Sequence, residues 1–474
     1  DIGHYERFSS LLFPKENNIT SGKIYLNVIE KERKGEFLGQ TIQVIPHVTN
    51  EIKEQIYSKT KNFDIGIIEI GGTVGDIESL PFLEAARQTK IEFPNTLFIH
   101  VSYVPYIPNT NELKTKPTQH SVKQLTSLGI QPNFIILRIP QTPHKISNLK
   151  QIREKIALFS NLNPSNIIDI PNFKYIYQIP LYLLKNKFHK NLLSKLKIKK
   201  ADLRKISKTI HKDSRWAKIN EILINLKKLQ KVKVSIVGKY TKLRDSYKSL
   251  SEALLHSAIK NNLNLEINWV DSENIKNFDY KKTQGIIIPG GFGERGTEGK
   301  IEIIKIAREN NFPILGICLG LQLIFIEFAR NVLGLKQANS TEFDSHTPYP
   351  VVDKLENQKN IINLGGTMRL GNYTCIIKKE TLAYKIYLKE KVEERHRHRY
   401  EINQSFIEKY NKEIEHNGLI ISGINPENKL VEIIEMKNLS FFIGVQFHPE
   451  FNSRLFNPHP IFNYFLNFIQ NIQP

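Results

Sequence analysis

Short apolar runs closed by glycine or proline recur along this chain and alternate with stretches of helical periodicity. Residues 63–70 (FDIGIIEI) are almost continuously apolar and end at Gly71-Gly72, the pattern of a strand buried on both faces. Residues 96–101 (TLFIHV) and 133–137 (NFIIL) repeat it, with helical patterns at 80–88 and 121–128. From 184 to 230 the chain turns Lys-rich and loses strong strand signals, which reads as the tail of one domain, some helix and a linker. A second series opens at 233–238 (KVSIVG). Its further strands are predicted at 285–288 before Pro289-Gly290-Gly291, at 313–317 before Cys318, and at 441–447 before His448. Strands alternating with helices predict parallel sheets covered on both faces. The expected fold class is α/β, two doubly wound domains at 1–195 and 231–474 joined by a Lys-rich linker at 196–230.

Bulk properties narrow the picture further. With 474 residues the chain exceeds one ordinary core, and 40% hydrophobic residues suffice to fill two. No apolar run reaches the roughly 18 residues of a membrane span. Two cysteines, Cys318 and Cys375, make no disulfide framework and suggest a reducing cytoplasm. The net charge of +20 suits phosphorylated ligands. The lysines are scattered and no nucleic-acid module accompanies them, which argues against a dedicated nucleic-acid function.

Candidate chemistry concentrates in the second domain. Residues 313–322 (PILGICLGLQ) join an apolar strand, a G-x-C-x-G pattern at Gly316, Cys318 and Gly320, and an apolar helix pattern. Small flanking residues allow the sharp strand-to-helix turn that exposes a nucleophile beside a helix N-terminus, where a thiolate and an oxyanion are stabilised. Near the C-terminus stands Phe447-His448-Pro449-Glu450. Taken singly, Cys318 reads as a buried core thiol and the His-Pro-Glu as a turn. Taken together, at two ends of one α/β domain with a Gly-Gly loop between, they read as a nucleophile (Cys318), a general base then acid (His448) and an orienting carboxylate (Glu450).

This combination resembles the class I glutamine amidotransferases. Residues 289–296 (PGGFGERG), 339–343 (NSTEF), 365–371 (GGTMRLG) and 394–401 (ERHRHRYE) narrow the resemblance to the CTP synthase family. The resemblance implies that Gly291 and the N–H of Leu319 form the oxyanion hole. It also implies that Leu319, Gly320, Leu321 and Gln322 line the glutamine pocket, that Glu342 takes the substrate's amino group and that Arg399 helps hold it. Without the resemblance, the basic stretch 395–399 reads as a solvated stripe.

In the first domain, Glu69 closes an apolar run, and the following loop 71–79 carries Asp76 and Glu78. A buried acid at a strand end suits a cation beside nucleotide phosphates. The loop acids equally suit the first turn of a helix. Residues 114–121 (KTKPTQHS) set cations and hydroxyls before a helix, which suits phosphate. These segments, with 1–8 (DIGHYERF) and 43–47 (QVIPH), resemble the CTP synthase amidoligase domain, a fold similar to P-loop NTPases. The resemblance implies Mg²⁺ at Asp1 and Glu69, with Asp1 also at the ATP site. It implies UTP or its product CTP at Asp76, Ile77, Glu78, Lys114, Thr115, Lys116, Pro117, Thr118, Gln119 and Lys155.

The implied activity is ATP-dependent amination of UTP to CTP, with ammonia from glutamine, GTP as activator, CTP as inhibitor and a homotetramer as the assembly. The family carries a Gly-rich phosphate loop ahead of the DIGHYERF motif, and no G-x-x-x-x-G-K-[ST] occurs in these 474 residues. The expectation is therefore a chain lacking that segment and limited to glutamine hydrolysis. Two rival readings remain: the glutaminase of another synthetase, such as one for GMP or carbamoyl phosphate, and a non-catalytic remnant that binds nucleotide or RNA.

Overall fold

The apolar runs need cover on both faces, and the chain supplies it with helices. The computed structural model describes residues 2–9, 11–141, 148–198, 202, 215–241, 244–276, 278–354 and 368–472. They divide into two units, Pro14–Leu223 and Asp1–Phe13 with Ile224–Pro474. Helix α1 (Ile2–Phe8) thus packs with the second half of the chain although it precedes the first. The expected division at 1–195 differs here, because the buried Glu6 of α1 finds its arginine partners beyond residue 390.

In the first unit, α2 (Ser21–Arg33), α3 (Thr49–Thr60) and α4 (Leu80–Glu92) share a small core of Ile24, Val28, Val48, Ile52 and Ala85. Thr20 caps α2, its Oγ1 accepting from Lys23 N at 3.4 Å. Three parallel strands follow: β1 (Ile99–Tyr103), β2 (Phe134–Ile139) and β3 (Ile167–Pro171), in that spatial order. Between them run α5 (Lys116–Ser127), with Pro117 in its first turn, and α6 (Leu149–Phe159). Val122, Ile135, Leu137, Ile152 and Ile156 close the core.

One expectation fails in this unit. Residues 65–70 form no strand, and Ile67 is 92% exposed. A strand read as buried needs partners on both edges, and among the described residues the parallel sheet ends at β1. Glu69 is accordingly exposed instead of buried at a strand end.

The second unit is built on a nine-stranded sheet. Its strands are β4 (Gln230–Gly238), β5 (Leu263–Asp271), β6 (Gly285–Ile288), β7 (Ile314–Ile317), β8 (Arg369–Ile377), β9 (Lys391–His398), β10 (Leu419–Ile424), β11 (Val431–Met436) and β12 (Phe442–Val445). The spatial order is β9-β8-β10-β11-β12-β7-β6-β4-β5. The strands from β12 to β5 pair in parallel and the rest antiparallel. Helices α7 (Lys248–Lys260), α8 (Thr297–Glu309), α9 (Leu319–Asn331) and α10 (Pro460–Ile469) belong to this unit. β6 and β7 are buried at every position, which is why their sequences run apolar without alternation. α9 is buried from Leu319 to Ala329, its Glu327 paired with Arg308 at 2.9 Å, because it lies inside the core with Ile288, Ile304 and Phe442. Among the described residues no helix is long and apolar enough to cross a membrane.

Phe465 of α10 is fully buried, its ring 5.1 Å from that of Phe441, and a Cβ on Gly285 would sit 2.6 Å from its Cζ. Phe465→Ala is predicted to destabilise this unit by about 3–5 kcal/mol. Thermal melting of the full chain checks it: a drop of several degrees is expected, and a shift below about 1 °C contradicts it.

Candidate active site

The site begins with strand order. β7 and β12 are parallel neighbours, with Ile314 opposite Phe442 and Ile317 opposite Val445. Parallel neighbours reach the same edge of a sheet together. Cys318 directly follows β7 and His448 lies three residues beyond β12, so residues far apart in sequence arrive side by side. The N–H of Cys318 donates to the carbonyl of Val445 at 2.7 Å and locks the register.

Cys318 turns the chain from β7 into α9 with φ +53° and ψ −104°, a region that costs a side-chain-bearing residue on the order of 1–3 kcal/mol. The glycines around it are required by contact. A Cβ on Gly320 would lie 2.2 Å from the carbonyl oxygen of Ile288, and one on Gly316 2.7 Å from the carbonyl of Gly320. The strand-to-helix elbow therefore forms only with hydrogen at both flanks.

His448 and Glu450 meet through Nδ1 and Oε1 at 2.7 Å, which orients Nδ1–H toward the carboxylate and leaves Nε2 for Cys318. A Cβ on Gly290 would fall 2.8 Å from His448 Cε1 and 3.5 Å from Cys318 Cβ, so the Gly-Gly loop lies against both. The imidazole stacks on Phe451, ring centroids 4.8 Å apart and planes nearly parallel at 14°. Burial works against a charged imidazole here, but the Glu450 carboxylate and then Cys318 outweigh it and hold His448 well above its ordinary value. The arrangement favours an imidazolium beside Cys318. Cys375, by contrast, is pushed far up by burial and by Glu432 and Glu394, as befits an inert core thiol.

The residues expected around glutamine make the following contacts. Gly291 approaches Leu319, where a Cβ would lie 3.5 Å from Leu319 Cδ2. Glu342 accepts from the N–H of Gly293 at 2.6 Å, and burial raises its carboxyl despite that bond and Lys239. Gln322 donates to the carbonyl of Tyr400, the neighbour of the half-buried Arg399, at 2.8 Å. Leu321 is packed into the core against Gly444, and Gly320 against Ile288.

Sequence reasoning missed Gln446. Its buried side chain accepts from Gln322 at 3.3 Å, and its Nε2 lies 3.8 Å from Cys318 Sγ. A polar residue between Val445 and Phe447, just past an apolar strand, is the available signal. The basic stretch also resolves differently from a solvated stripe. β9 alternates, and its Glu394, His396 and His398 are buried. Glu394 accepts from Tyr387 at 2.6 Å and pairs with His459 at 2.8 Å. His396 faces Glu432 at 3.1 Å, and Arg369 joins Glu432 at 2.7 Å to Glu401 at 3.2 Å. Burial drives His396 and His398 well below the ordinary imidazole range, and Arg369 adds to this, so both are neutral.

In the first unit, Asp76, Ile77 and Glu78 are exposed on the loop before α4. That loop leans on α5, where a Cβ on Gly75 would collide with Gln124. Lys114, Thr115, Lys116, Pro117, Thr118 and Gln119 occupy the N-terminal end of the same helix. Lys114 pairs with Glu112 at 2.6 Å, and the buried Thr118 hydroxyl meets Ser102 Oγ at 2.9 Å. Lys155 is exposed on α6. Asp1 lies outside the described residues. No cluster of three His, Cys, Asp or Glu side chains suited to a metal ion occurs among the described residues, and Glu69 stands exposed.

Comparison with known proteins agrees with these two halves. Residues 1–198 match the family profile "CTP synthase N-terminus", and residues 242–468 match "Glutamine amidotransferase class-I". The chain is 53% identical to a CTP synthase of Hydrogenobaculum sp., over 99% of this chain and 84% of that protein. It is 50% identical to the CTP synthase of Aquifex aeolicus, over 98% of this chain and 85% of that protein. Against the CTP synthase of Methanocaldococcus jannaschii the identity is also 50%, over 98% and 84%. A solved glutaminase domain of Trypanosoma brucei CTPS with bound acivicin is 37% identical, over 50% of this chain and 92% of that one, with a TM-score of 0.45. These matches leave the expected lack of a phosphate-loop segment without support. The chain belongs to the CTP synthase family, glutamine-hydrolysing ligases that join a synthase half to a class I amidotransferase half.

Proposed function

We propose that Cys318, His448 and Glu450 hydrolyse glutamine in the second unit and supply ammonia for the amination of UTP in the first. The observation that carries this reading is the convergence at one sheet edge of a strained cysteine, an imidazole and its orienting carboxylate. In the proposed cycle the Cys318 thiolate attacks the side-chain amide carbon of glutamine. The oxyanion is met by the N–H groups of Gly291 and Leu319. His448 gives its proton to the departing ammonia, and a thioester remains on Cys318. Water, relieved of a proton by His448, then releases glutamate and restores the pair. Glu450 keeps the imidazole in the productive tautomer throughout. Leu319, Gly320, Leu321, Gln322, Glu342 and Arg399 shape the pocket. The core packing of Leu321 favours a supporting part for it rather than direct contact.

For the ligase half, the family's substrates are UTP and ATP. We assign UTP or CTP to Asp76, Ile77, Glu78, Lys114–Gln119 and Lys155, supported by the meeting of loop 71–79 with α5. No residue is assigned to cradle the ATP phosphates, since the motif for it is absent from these 474 residues. Asp1 and Glu69 were expected to hold Mg²⁺. Glu69 is exposed and Asp1 lies outside the described residues, and no step is drawn through the ion. A functional division at 1–195, 196–230 and 231–474, activation by GTP, inhibition by CTP, a homotetramer and a cytoplasmic location complete the reading. Light scattering of the purified chain tests the assembly, and a monomer under all nucleotide conditions would refute it.

The direct test of the first half is glutamate release from glutamine. Cys318→Ala is expected to abolish it with no change in melting temperature, and residual release near the parent rate would refute the assignment. The charge state of His448 gives a second prediction. Its raised pKa keeps the proton on the imidazole to a pH above the free-histidine range. Glu450→Gln removes the largest raising influence, so the alkaline limb of kcat/KM is expected to move to lower pH. An unmoved limb would contradict the role of Glu450. In the ligase half, Lys114→Met is expected to weaken UTP binding by calorimetry by roughly tenfold or more, the loss of one charge-assisted hydrogen bond. Glutamine KM should stay unchanged, and an unchanged UTP affinity would remove Lys114 from the site.

A further inference from the structure

Glu6 of α1 is fully buried and holds two arginines at once. Arg395 meets it through both terminal guanidinium nitrogens, at 2.6 and 2.7 Å, and Arg454 donates Nη2 to it at 2.8 Å. The N–H of Phe13 donates to the same carboxylate at 2.8 Å and closes the turn behind α1. Both arginines lead to the catalytic imidazole. The backbone carbonyl of Arg395 accepts from the N–H of His448 at 2.7 Å. The Arg454 guanidinium donates to the carbonyl of Phe451 at 2.7 Å, and the ring of Phe451 lies flat on that of His448. Thus one carboxylate stands behind both the backbone and the ring face of His448.

The same loop is tied on another side by Ser453, whose Oγ lies 3.0 Å from Nδ1 of the buried His256. α1 itself is pinned by Arg7, which donates to Ser249 of α7 at 3.0 Å. Among the described residues Glu6 is the carboxylate within salt-bridge reach of Arg395 and of Arg454. Without it, two guanidinium groups would face each other in a largely dry site, and like charges there must separate. The loop from His448 to Arg454 carries one of the two guanidinium groups and would shift with it. A displacement of about 1 Å at a catalytic base costs roughly 10²-fold in rate.

We propose that Glu6 is a positioning residue of the glutaminase centre, fixing the His448 loop through Arg395 and Arg454. The inference rests on the reading of Cys318 and His448 given above. It adds that α1, although its residues match the synthase profile, is a structural part of the amidotransferase centre.

The test uses the full chain and four variants: Glu6→Gln, Glu6→Asp, Phe451→Leu and Cys318→Ala. Glu6→Gln keeps the shape and removes the charge. Its kcat for glutamine hydrolysis is expected to fall roughly 10²-fold, while KM for glutamine stays within about twofold because Gly291, Gln322 and Glu342 are untouched. Glu6→Asp, which retains the carboxylate, is expected to recover part of the loss. Phe451→Leu leaves both ion pairs in place and removes the stacked ring. It therefore separates positioning from folding, and its kcat is expected to fall with melting unchanged. Equal kcat in the parent, Glu6→Gln and Phe451→Leu, with Cys318→Ala inert, overturns the proposal and spares the glutaminase reading. Losses in Glu6→Gln and Glu6→Asp that match a common drop in melting temperature, with Phe451→Leu at the parent rate, also overturn it. Hydrolysis by Cys318→Ala at the parent rate overturns both.

Discussion

Everything in the amidotransferase half depends on one pairing, the parallel contact of β7 with β12. It is sealed by the bond from Cys318 N–H to the carbonyl of Val445. A parallel pair brings the ends of two strands that are more than a hundred residues apart to one edge, and the chemistry follows from what stands at those ends. The turn at Cys318 can be strained because the strands on either side are buried at every position and leave the elbow no freedom to relax. Gly316 and Gly320 let β6, β7 and α9 approach closely enough for that burial.

Beside the apolar core of this half lies a buried polar layer. Arg369 between Glu401 and Glu432, with His396 facing Glu432, and Glu394 between Tyr387 and His459, form a stack of ion pairs and hydrogen bonds under the last strands. Burial alone would disfavour these charges. Burial prevails at Glu401, pushed up to about 8, and at Glu432, pushed up to about 7, with Arg369 opposing it for both, and the neutral His396 fills a remaining place. Such a layer fixes geometry more than it adds stability, since replacing a buried pair by apolar groups is often neutral. It fits a site in which an imidazole must be held to within fractions of an ångström.

The elbow was readable from residues because its constraint is local: an apolar strand, two glycines and an apolar helix state it within ten positions. The partner histidine was readable because it also stands at a strand end, next to a proline. The segment 63–70 was misread for the complementary reason. An apolar run specifies that burial is wanted, while a strand forms only where a neighbouring edge exists, and that information lies elsewhere in the chain. The stretch 394–401 concealed a period of two beneath a run of positive charge, so its buried histidines looked like surface. Glu6 could not be assigned at all from sequence, since its meaning comes from two arginines about 390 and 450 positions away, which no local pattern encodes.

The central claim is that Cys318 is the nucleophile and Cys375 is core. Treating the chain with an electrophilic glutamine analogue that alkylates the attacking thiol, then mapping the adduct by peptide mass spectrometry, tests it most directly. The account predicts a single adduct on Cys318, formed at neutral pH and suppressed by excess glutamine, with Cys375 unmodified in the folded protein. An adduct on Cys375, or no glutamine-sensitive adduct on Cys318, would contradict it.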